Sequence, residues 1–211
     1  MATTHAFLIH GMGRTPCSMF KLARHLRQHG IKTHQFGYVP AFEKWAHCVT
    51  RLTDRINALI QADPQCAYVL IGHSLGTVLI RGALPHVDRP PQACFLLAPP
   101  TVACLRARKM APNVLYRLIC GDMGQRLADP EFMASLPIPE SPTCIYSGTK
   151  GITGRFSPFG AEENDVILKV SETSLPGIEM RKVHAMHTWI MRSDEVIRDI
   201  VAKIRFSASH P

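Results

Sequence analysis

The stretch Tyr68-Val-Leu-Ile-Gly-His-Ser-Leu-Gly-Thr-Val-Leu-Ile80 decides the fold of this chain. It begins within a short apolar run, residues 67–71, whose length and composition are typical of a strand buried on both faces. A second apolar segment runs from Ser74 to Leu84 and ends before Pro85, which indicates a buried helix. The two segments therefore predict a strand that turns sharply into a helix.

The turn between these segments reads Gly72-His-Ser-Leu-Gly76, which is the pattern G-x-S-x-G. A serine in a strained strand-to-helix turn projects its hydroxyl above the edge of the sheet, where it can act as a nucleophile. The residues two positions to either side must be nearly free of side chain, so that the chain can turn and the helix can pack closely. We therefore expect Ser74 to be reactive, with Gly72 and Gly76 shaping its turn. The alternative is a small serine chosen only for a tight, buried turn.

Outward from this stretch, apolar runs alternate with segments of helical periodicity. Strands separated by helices, with the strands apolar throughout, predict an α/β fold with a mostly parallel sheet covered by helices on both faces. The predicted strands cover residues 6–9, 33–38, 67–71, 93–97, 143–146 and 180–183, with a weaker candidate at 166–170. The predicted helices begin near Pro16, Trp45 and Ser74 and after Ser193. We expect residues 1–211 to form a single domain.

The segment 101–142 falls outside this alternation. It holds two helical patches, residues 114–119 and 130–135, which are separated by glycine and proline. We expect either a small lid or a helical excursion over the sheet. Its most concentrated basic group, Arg106, Arg108 and Lys109, lies near the start of the segment.

The composition is that of an ordinary globular protein, with 46% hydrophobic and 19% charged residues. The N-terminus lacks the basic region and long apolar region of a secretory signal, so we expect a cytoplasmic protein. Seven scattered cysteines argue against a disulfide scaffold. The net charge of +8 is spread along the chain, which argues against nucleic-acid binding. It favours a solvated basic face, with attraction to an anionic substrate or weak association with an anionic membrane surface as the alternative.

The sequence resembles the α/β-hydrolase superfamily, in particular its small, nearly capless bacterial lipases and esterases. The resemblance rests on four stretches: Leu8-Ile-His-Gly-Met-Gly13, Ile71-Gly-His-Ser-Leu-Gly76, Glu163-Asn-Asp165 with Ser171-Glu-Thr173, and Val183-His-Ala-Met-His187-Thr-Trp-Ile-Met191. It implies the α/β-hydrolase fold with little or no cap. It also implies an oxyanion hole formed by the backbone N–H groups of Met12 and Leu75, with His10 and Gly11 shaping the first turn.

In this fold the catalytic triad follows the order serine, carboxylate, histidine along the chain. The base must then lie well after Ser74, which leaves His184, His187 and His210. The resemblance places the histidine immediately before Thr-x-Ile-Met and so selects His187. His184 and His187 are also spaced for a metal pair, but no cluster of Asp, Glu or Cys joins them, and we expect no metal site.

The orienting carboxylate should lie on the loop after the strand at residues 143–146. The resemblance implies Asp165, because similar enzymes carry Asn-Asp at this point. They usually follow it with glycine, whereas this chain has Val166. The other carboxylates near that strand, which stay open as alternatives, are Glu162, Glu163, Asp122 and Asp129.

Together these residues predict a serine hydrolase that cleaves a small acyl ester or lipid, an esterase or lipase, through an acyl-enzyme. This mechanism needs neither a metal nor an organic cofactor. The same residues would serve a thioesterase, an amidase or an acyltransferase. An alternative of another class is a non-catalytic relative of the fold that binds lipid or a protein partner through its basic surface.

Overall fold

The computed structural model describes residues 3–209. The strands of this part of the chain form one sheet, in the order β2-β1-β3-β4-β5-β6, and every neighbouring pair is parallel. The strands are β1 (Thr4–Ile9), β2 (Lys32–Phe36), β3 (Ala67–His73), β4 (Ala93–Leu97), β5 (Thr143–Gly148) and β6 (Glu179–Val183). The predicted parallel sheet is therefore confirmed.

The helices alternate with these strands, as the periodicity of the sequence predicts. They are α1 (Phe20–Gln28), α2 (Trp45–Ala62), α3 (Leu75–Ala83), α4 (Leu105–Met110), α5 (Val114–Ala128), α6 (Pro130–Ser135) and α7 (Asp194–Ser209). Short 3₁₀ turns cover Pro16–Met19, Leu84–His86, Val170–Thr173 and His187–Arg192. Within residues 3–209, none of the helices is long and apolar enough to cross a bilayer.

The sheet is buried on both faces because side chains alternate along each strand. On β1, Phe7 and Ile9 face a core shared with α2 and α3, whereas Ala6 and Leu8 face a second core shared with α1 and α7. Burial on both sides explains why the central strands are apolar at successive positions instead of alternating with polar residues.

The prediction of a strand at residues 166–170 is wrong. This segment is a turn that leads into the 3₁₀ turn Val170–Thr173. Its apolar residues suggested a strand, but the backbone N–H groups of Ile167 and Leu168 both donate to the carboxylate of Asp165. These bonds hold the chain in a turn, because an extended strand would carry the two N–H groups away from the preceding side chain.

The segment between β4 and β5 contains α4, α5 and α6, which include the helices predicted at 114–119 and 130–135. The helix α5 is interrupted at Gly121, whose φ is 54°. A Cβ at this position would lie 2.5 Å from the carbonyl oxygen of Pro40, so glycine lets α5 pack against the loop after β2. We call α4, the linking residues and the part of α5 up to Gly121 the cap.

The parallel arrangement brings four loops to one edge of the sheet, since the carboxyl ends of parallel strands share that edge. The register aligns Ile9 at the end of β1 with Gly72 near the end of β3. The loops that follow β1, β3, β5 and β6 carry Met12, Ser74, Asp165 and His187 respectively.

Candidate active site

Ser74 occupies the sharp turn between β3 and α3. Its backbone has φ of 50° and ψ of −121°, a conformation that L-residues rarely adopt and that costs about 1–3 kcal/mol. The turn is held in place because the Ser74 N–H donates to the Leu97 carbonyl at 2.9 Å and the Thr77 N–H donates to the Ser74 carbonyl at 2.9 Å. The strain is therefore imposed by the surrounding strand and helix, and the half-buried side chain faces a cavity.

The two glycines beside Ser74 leave no room for a side chain. A Cβ on Gly72 would lie 2.8 Å from the Gly76 carbonyl carbon and the same distance from the Thr77 nitrogen. A Cβ on Gly76 would lie 2.3 Å from the Ile9 carbonyl oxygen. These glycines thus allow α3 to pack directly against the backbone of β1 and β3.

The turn after β1 lies against the turn that carries Ser74. A Cβ on Gly11 would lie 2.7 Å from Nδ1 of His73 and 3.0 Å from Cβ of Ser74. Among the hydrogen bonds of residues 3–209, the backbone N–H groups of Met12 and Leu75 have no acceptor. Leu75 is the first residue of α3, whose N–H has no partner within the helix and adds to the positive end of the helix dipole. Both N–H groups are therefore available to an oxygen bound at this edge.

Asp165 and His187 form a buried pair. The His187 Nδ1–H donates to Oδ2 of Asp165 at 2.7 Å, and the two side chains are 9% and 1% exposed respectively. The main chains are also joined, because the His187 N–H donates to the Asp165 carbonyl at 2.9 Å. With Nδ1 engaged in this way, Nε2 is the nitrogen left to exchange a proton at the cavity.

The turn that carries Asp165 is organised by side-chain hydrogen bonds. Oδ1 of Asp165 accepts from the N–H groups of Ile167 at 3.0 Å and Leu168 at 2.7 Å. The side chain of Asn164 donates to the Ile152 carbonyl at 2.9 Å and accepts from the Val166 N–H at 3.0 Å. These bonds fix the carboxylate so that its second oxygen meets His187.

Val166 follows Asp165 with φ of 85°. This is the left-handed region that glycine favours and that a β-branched residue enters only as an outlier. Similar enzymes carry glycine at this position, and glycine adopts this φ without strain. Val166 adopts the same φ with strain in its backbone.

Two buried histidines, His73 and His10, lie beside the site, and only His73 lines the cavity. The His73 Nε2–H donates to the His187 carbonyl at 2.9 Å, and burial, with a smaller contribution from His187, lowers the pKa of His73 well below 6.5. The His10 Nδ1–H donates to the Gly11 carbonyl at 2.9 Å, and the ring stacks on Tyr38. Burial also lowers the pKa of His10. His73 therefore supports the backbone of His187 as a neutral ring, a contact between distant residues that the sequence does not signal.

One cavity of about 360 Å³ joins Ser74, His187 and Met12. Within residues 3–209 no hydrogen bond links the Ser74 hydroxyl to the His187 ring. The cap covers one side of the cavity with Ala107, Met110 and other side chains. Arg14 and Arg106 also line the cavity, although no motif of the sequence marks either of them as a site residue.

The alternative candidates lie elsewhere. His184 is exposed and does not line the cavity, and His210 is outside the described residues. The other carboxylates have partners of their own: Glu163 pairs with Lys182, Glu162 with Lys169 and Asp122 with Arg126, while Asp129 caps α6.

Many solved structures are similar to this chain, and three of them illustrate the range of proteins that share its fold. A lipase of Bacillus licheniformis in its mature form shares 16% identity over 95% of this chain and 92% of its own, with a TM-score of 0.72. A monoglyceride lipase of Saccharomyces cerevisiae, solved as a soluble variant with a substrate analogue, shares 12% over 99% and 87%, with a TM-score of 0.67. A tomato methylketone synthase bound to 2-tridecanone shares 11% over 98% and 100%, with a TM-score of 0.63.

No protein-family model matches the sequence, and the comparison with curated proteins gave no match. At these low identities the structural likeness concerns the fold. Three observations point to the same fold. They are the order of the parallel strands, the strained Ser74 turn after β3 and the high coverage of each similar structure. The chain has the α/β-hydrolase fold, as its resemblance to that superfamily predicts.

Proposed function

We propose that this protein is a serine hydrolase that cleaves carboxylic esters through an acyl-enzyme on Ser74. The observation that carries the proposal is the buried 2.7 Å hydrogen bond from His187 to Asp165, made beside a serine held at a positive φ. A carboxylate that fixes an imidazole next to a strained, half-buried serine is the arrangement that nucleophilic catalysis requires.

The reaction begins when Nε2 of His187 takes the proton of the Ser74 hydroxyl and the oxygen attacks the ester carbonyl. This step requires the serine side chain to turn toward the imidazole, and catalytic hydrogen bonds often tighten only when substrate binds. The N–H groups of Met12 and Leu75 then donate to the oxyanion. One such donor is typically worth about 3–4 kcal/mol in the transition state.

Asp165 holds the imidazole in the tautomer that leaves Nε2 unprotonated and stabilises the imidazolium that forms. His187 returns its proton to the leaving alcohol oxygen, so the alcohol portion lies on the His187 side of Ser74. Water, activated by the same imidazole, then releases the acid. Thioesters, amides and acyl acceptors other than water are the alternatives for this machinery.

We further propose that the cap acts as a small lid and rests on an anionic lipid surface. Its outer face exposes large apolar side chains, with Val114 at 70% and Leu118 at 69% exposed. Residues 101–121 contain four basic residues and no Asp or Glu. An apolar face with only positive charge around it matches an anionic membrane surface.

The decisive experiment for catalysis is labelling with a fluorophosphonate probe, followed by identification of the modified residue. We expect the probe to label Ser74, and Ser74→Ala to lose the hydrolysis of p-nitrophenyl esters by about 10⁶-fold in turnover. Hydrolysis that persists in Ser74→Ala would overturn the proposal. A well-folded protein that resists the probe but binds anionic vesicles in a salt-sensitive way would instead support the non-catalytic alternative.

The choice of base is tested by comparing two neighbouring histidines. His187→Ala should abolish ester hydrolysis, whereas His184→Ala should retain it because His184 is exposed and lies away from the cavity. The reverse result would place the base on the other histidine and refute the role proposed for His187.

A further inference from the structure

Two arginines line the cavity beside Ser74, and no carboxylate among the described residues lines it with them. Arg14 lies on the turn after β1, two residues beyond Met12, and Arg106 lies on α4 of the cap. Guanidinium groups remain charged under all ordinary conditions, so this cavity carries fixed positive charge.

Arg14 makes no ion pair within residues 3–209. Its guanidinium lies over the ring of Trp189, 5.7 Å from the ring centroid, and Arg192 lies over the same ring at 5.2 Å. Trp189 belongs to the 3₁₀ turn that begins at His187. Arg14 is thus held on the His187 side of the cavity by an aromatic surface, with its N–H donors left for a ligand.

Arg106 approaches the same cavity from the cap. Its Nη1 donates to the Val166 carbonyl at 2.8 Å, a bond that uses one donor of the guanidinium and neutralises none of its charge. The helix α4 and the adjoining residues 101–121 supply no acidic partner. The position of Arg106 is therefore tied to the turn that carries Asp165, while its charge stays uncompensated.

The carboxylates closest in the chain to the site are already occupied. Asp165 is 1% exposed and accepts from His187 and two backbone N–H groups. Glu163 pairs with Lys182, and Glu162 pairs with Lys169. Glu172 accepts from the N–H groups of Leu105 and Lys169. None of these carboxylates forms an ion pair with Arg14 or Arg106.

The remaining lining is largely apolar. The cap contributes Ala107 and Met110, and Cys104, Leu127 and Leu168 complete the apolar lining. Fixed positive charge beside an apolar wall suits a molecule that has an acyl chain at one end and an oxyanion group at the other.

We propose that the preferred substrates of the site are acyl esters whose alcohol portion carries a negative charge, a phosphate or a carboxylate. This inference rests on the proposed ester hydrolysis. The leaving alcohol must lie near His187 to receive its proton, and Arg14 lies beside Trp189 in the same turn. Arg14 contacts the anionic group of the alcohol, and Arg106 adds attraction from the cap side.

The test uses three esters that share a hexanoyl chain and a three-carbon alcohol: hexanoylglycerol, which is neutral, hexanoylglycerol phosphate and hexanoyl glycerate. We expect kcat/KM to be higher for at least one anionic ester than for hexanoylglycerol by about tenfold, a typical effect of a charge-assisted hydrogen bond. The two anionic esters distinguish phosphate from carboxylate. The preference should also decline as salt is added, because screening weakens the attraction.

Variants assign the preference to the proposed residues. In Arg14→Gln the ratio of anionic to neutral kcat/KM should fall about tenfold, and Arg14→Lys, which keeps the charge, should retain part of it. Arg106→Gln should lower the ratio to a smaller degree. The matched control is Arg155→Gln, which removes an exposed charge that does not line the cavity and should leave the ratio unchanged. Thermal unfolding of each variant checks that the fold is intact.

Two results would overturn the inference. One is a wild-type ratio at or below unity while hexanoylglycerol is hydrolysed in a manner that depends on Ser74, which leaves the proposed ester hydrolysis standing. The other is an equal loss of preference in Arg14→Gln and Arg155→Gln, which would attribute the effect to the overall charge. Hydrolysis that survives Ser74→Ala would instead refute the proposed function itself.

Discussion

Of the three non-glycine residues at positive φ among residues 3–209, Ser74 and Val166 lie in two turns that are held in different ways. The nucleophile turn carries Ser74 at 50° and is enclosed by backbone, since Gly72 and Gly76 leave no space for a Cβ. The acid turn carries Val166 at 85° and is held by hydrogen bonds that backbone N–H groups donate to the side chains of Asp165 and Asn164. One turn depends on close packing, and the other depends on polar contacts.

This difference decides what a substitution does at each turn. Close packing of backbone against backbone admits no added atom, so changes at Gly72 and Gly76 act mainly through the stability of the fold. The hydrogen bonds of the acid turn also orient the imidazole of His187, so changes there act mainly through catalysis. Each of the following predictions tests one side of this contrast.

Of the substitutions that test this contrast, Asp165→Asn has the largest expected effect. The amide cannot stabilise the imidazolium of His187 and favours the wrong tautomer, so kcat for a p-nitrophenyl ester should fall about 10⁴-fold. The matched control is Glu163→Gln, which removes a carboxylate that pairs with Lys182 outside the cavity and should keep wild-type kcat. If the control lost activity and Asp165→Asn kept it, the acid of the triad would be misassigned.

The next effect is on stability and comes from Gly76→Ala. The added Cβ would lie 2.3 Å from the Ile9 carbonyl oxygen, so α3 must shift away from β1. We expect the free energy of unfolding to fall by about 3 kcal/mol, the upper end of the usual range for overpacked sites, because the added atom meets backbone. Urea denaturation measures this change.

The control for this variant is Gly177→Ala, whose added Cβ meets nothing within 4 Å although φ is 74°. It should lose about 1 kcal/mol from the backbone conformation alone. Equal losses in the two variants would show that close packing is not what enforces the nucleophile turn.

The contrast also explains how far the sequence could predict this molecule. Gly72 and Gly76 are conspicuous around Ser74, and the apolar strands follow directly from burial on both faces of the sheet. The sequence pattern of the acid turn is less specific, because Asn and Asp are common in loops and the apolar residues after Asp165 suggest a strand. Only the three-dimensional structure shows that the Asp165 carboxylate accepts from the N–H groups of Ile167 and Leu168, which holds the chain in a turn.

The site shows the same division. The G-x-S-x-G motif points to Ser74 and the family resemblance to His187, and both residues follow strands whose ends share one edge. The bond from His73 to the His187 carbonyl spans 114 residues, and the placement of Arg106 depends on how α4 folds over the sheet. Contacts of this kind arise from tertiary packing and have no local pattern in the sequence.

A third prediction concerns the acid sensitivity of the nucleophile turn. The pKa of His73 lies well below 6.5 in the folded protein because the ring is buried, whereas the unfolded chain titrates near 6.5. Below that pH the unfolded state binds the additional proton, so stability falls as pH falls, by up to about 1.4 kcal/mol per pH unit. The contribution of His73 is fully present above 6.5 and is lost between that value and its folded pKa.

His73→Gln tests this, because the amide can still donate to the His187 carbonyl but cannot titrate. Urea denaturation from neutral pH to about pH 5 should give a shallower decline for the variant than for the wild type. The other buried histidines are present in both proteins, so their contributions cancel in the difference. Parallel declines would show that the nucleophile turn does not depend on a neutral His73.

The smallest expected effect is that of Val166→Gly, and it distinguishes strain from function at the acid turn. Relief of the left-handed conformation should stabilise by about 1–3 kcal/mol, while the greater freedom of glycine in the unfolded chain should offset about 0.5–1 kcal/mol. We therefore expect the free energy of unfolding to rise by about 1 kcal/mol, with kcat/KM preserved, because the hydrogen bonds of Asp165 do not involve the Val166 side chain.

The control is Val39→Gly, at a half-exposed loop valine whose φ is not positive. Only the entropic loss applies there, and stability should fall. A fall of the same size at both positions would mean that the acid turn carries no strain to relieve, and a loss of activity in Val166→Gly alone would mean that the valine side chain itself helps to hold Asp165 against His187.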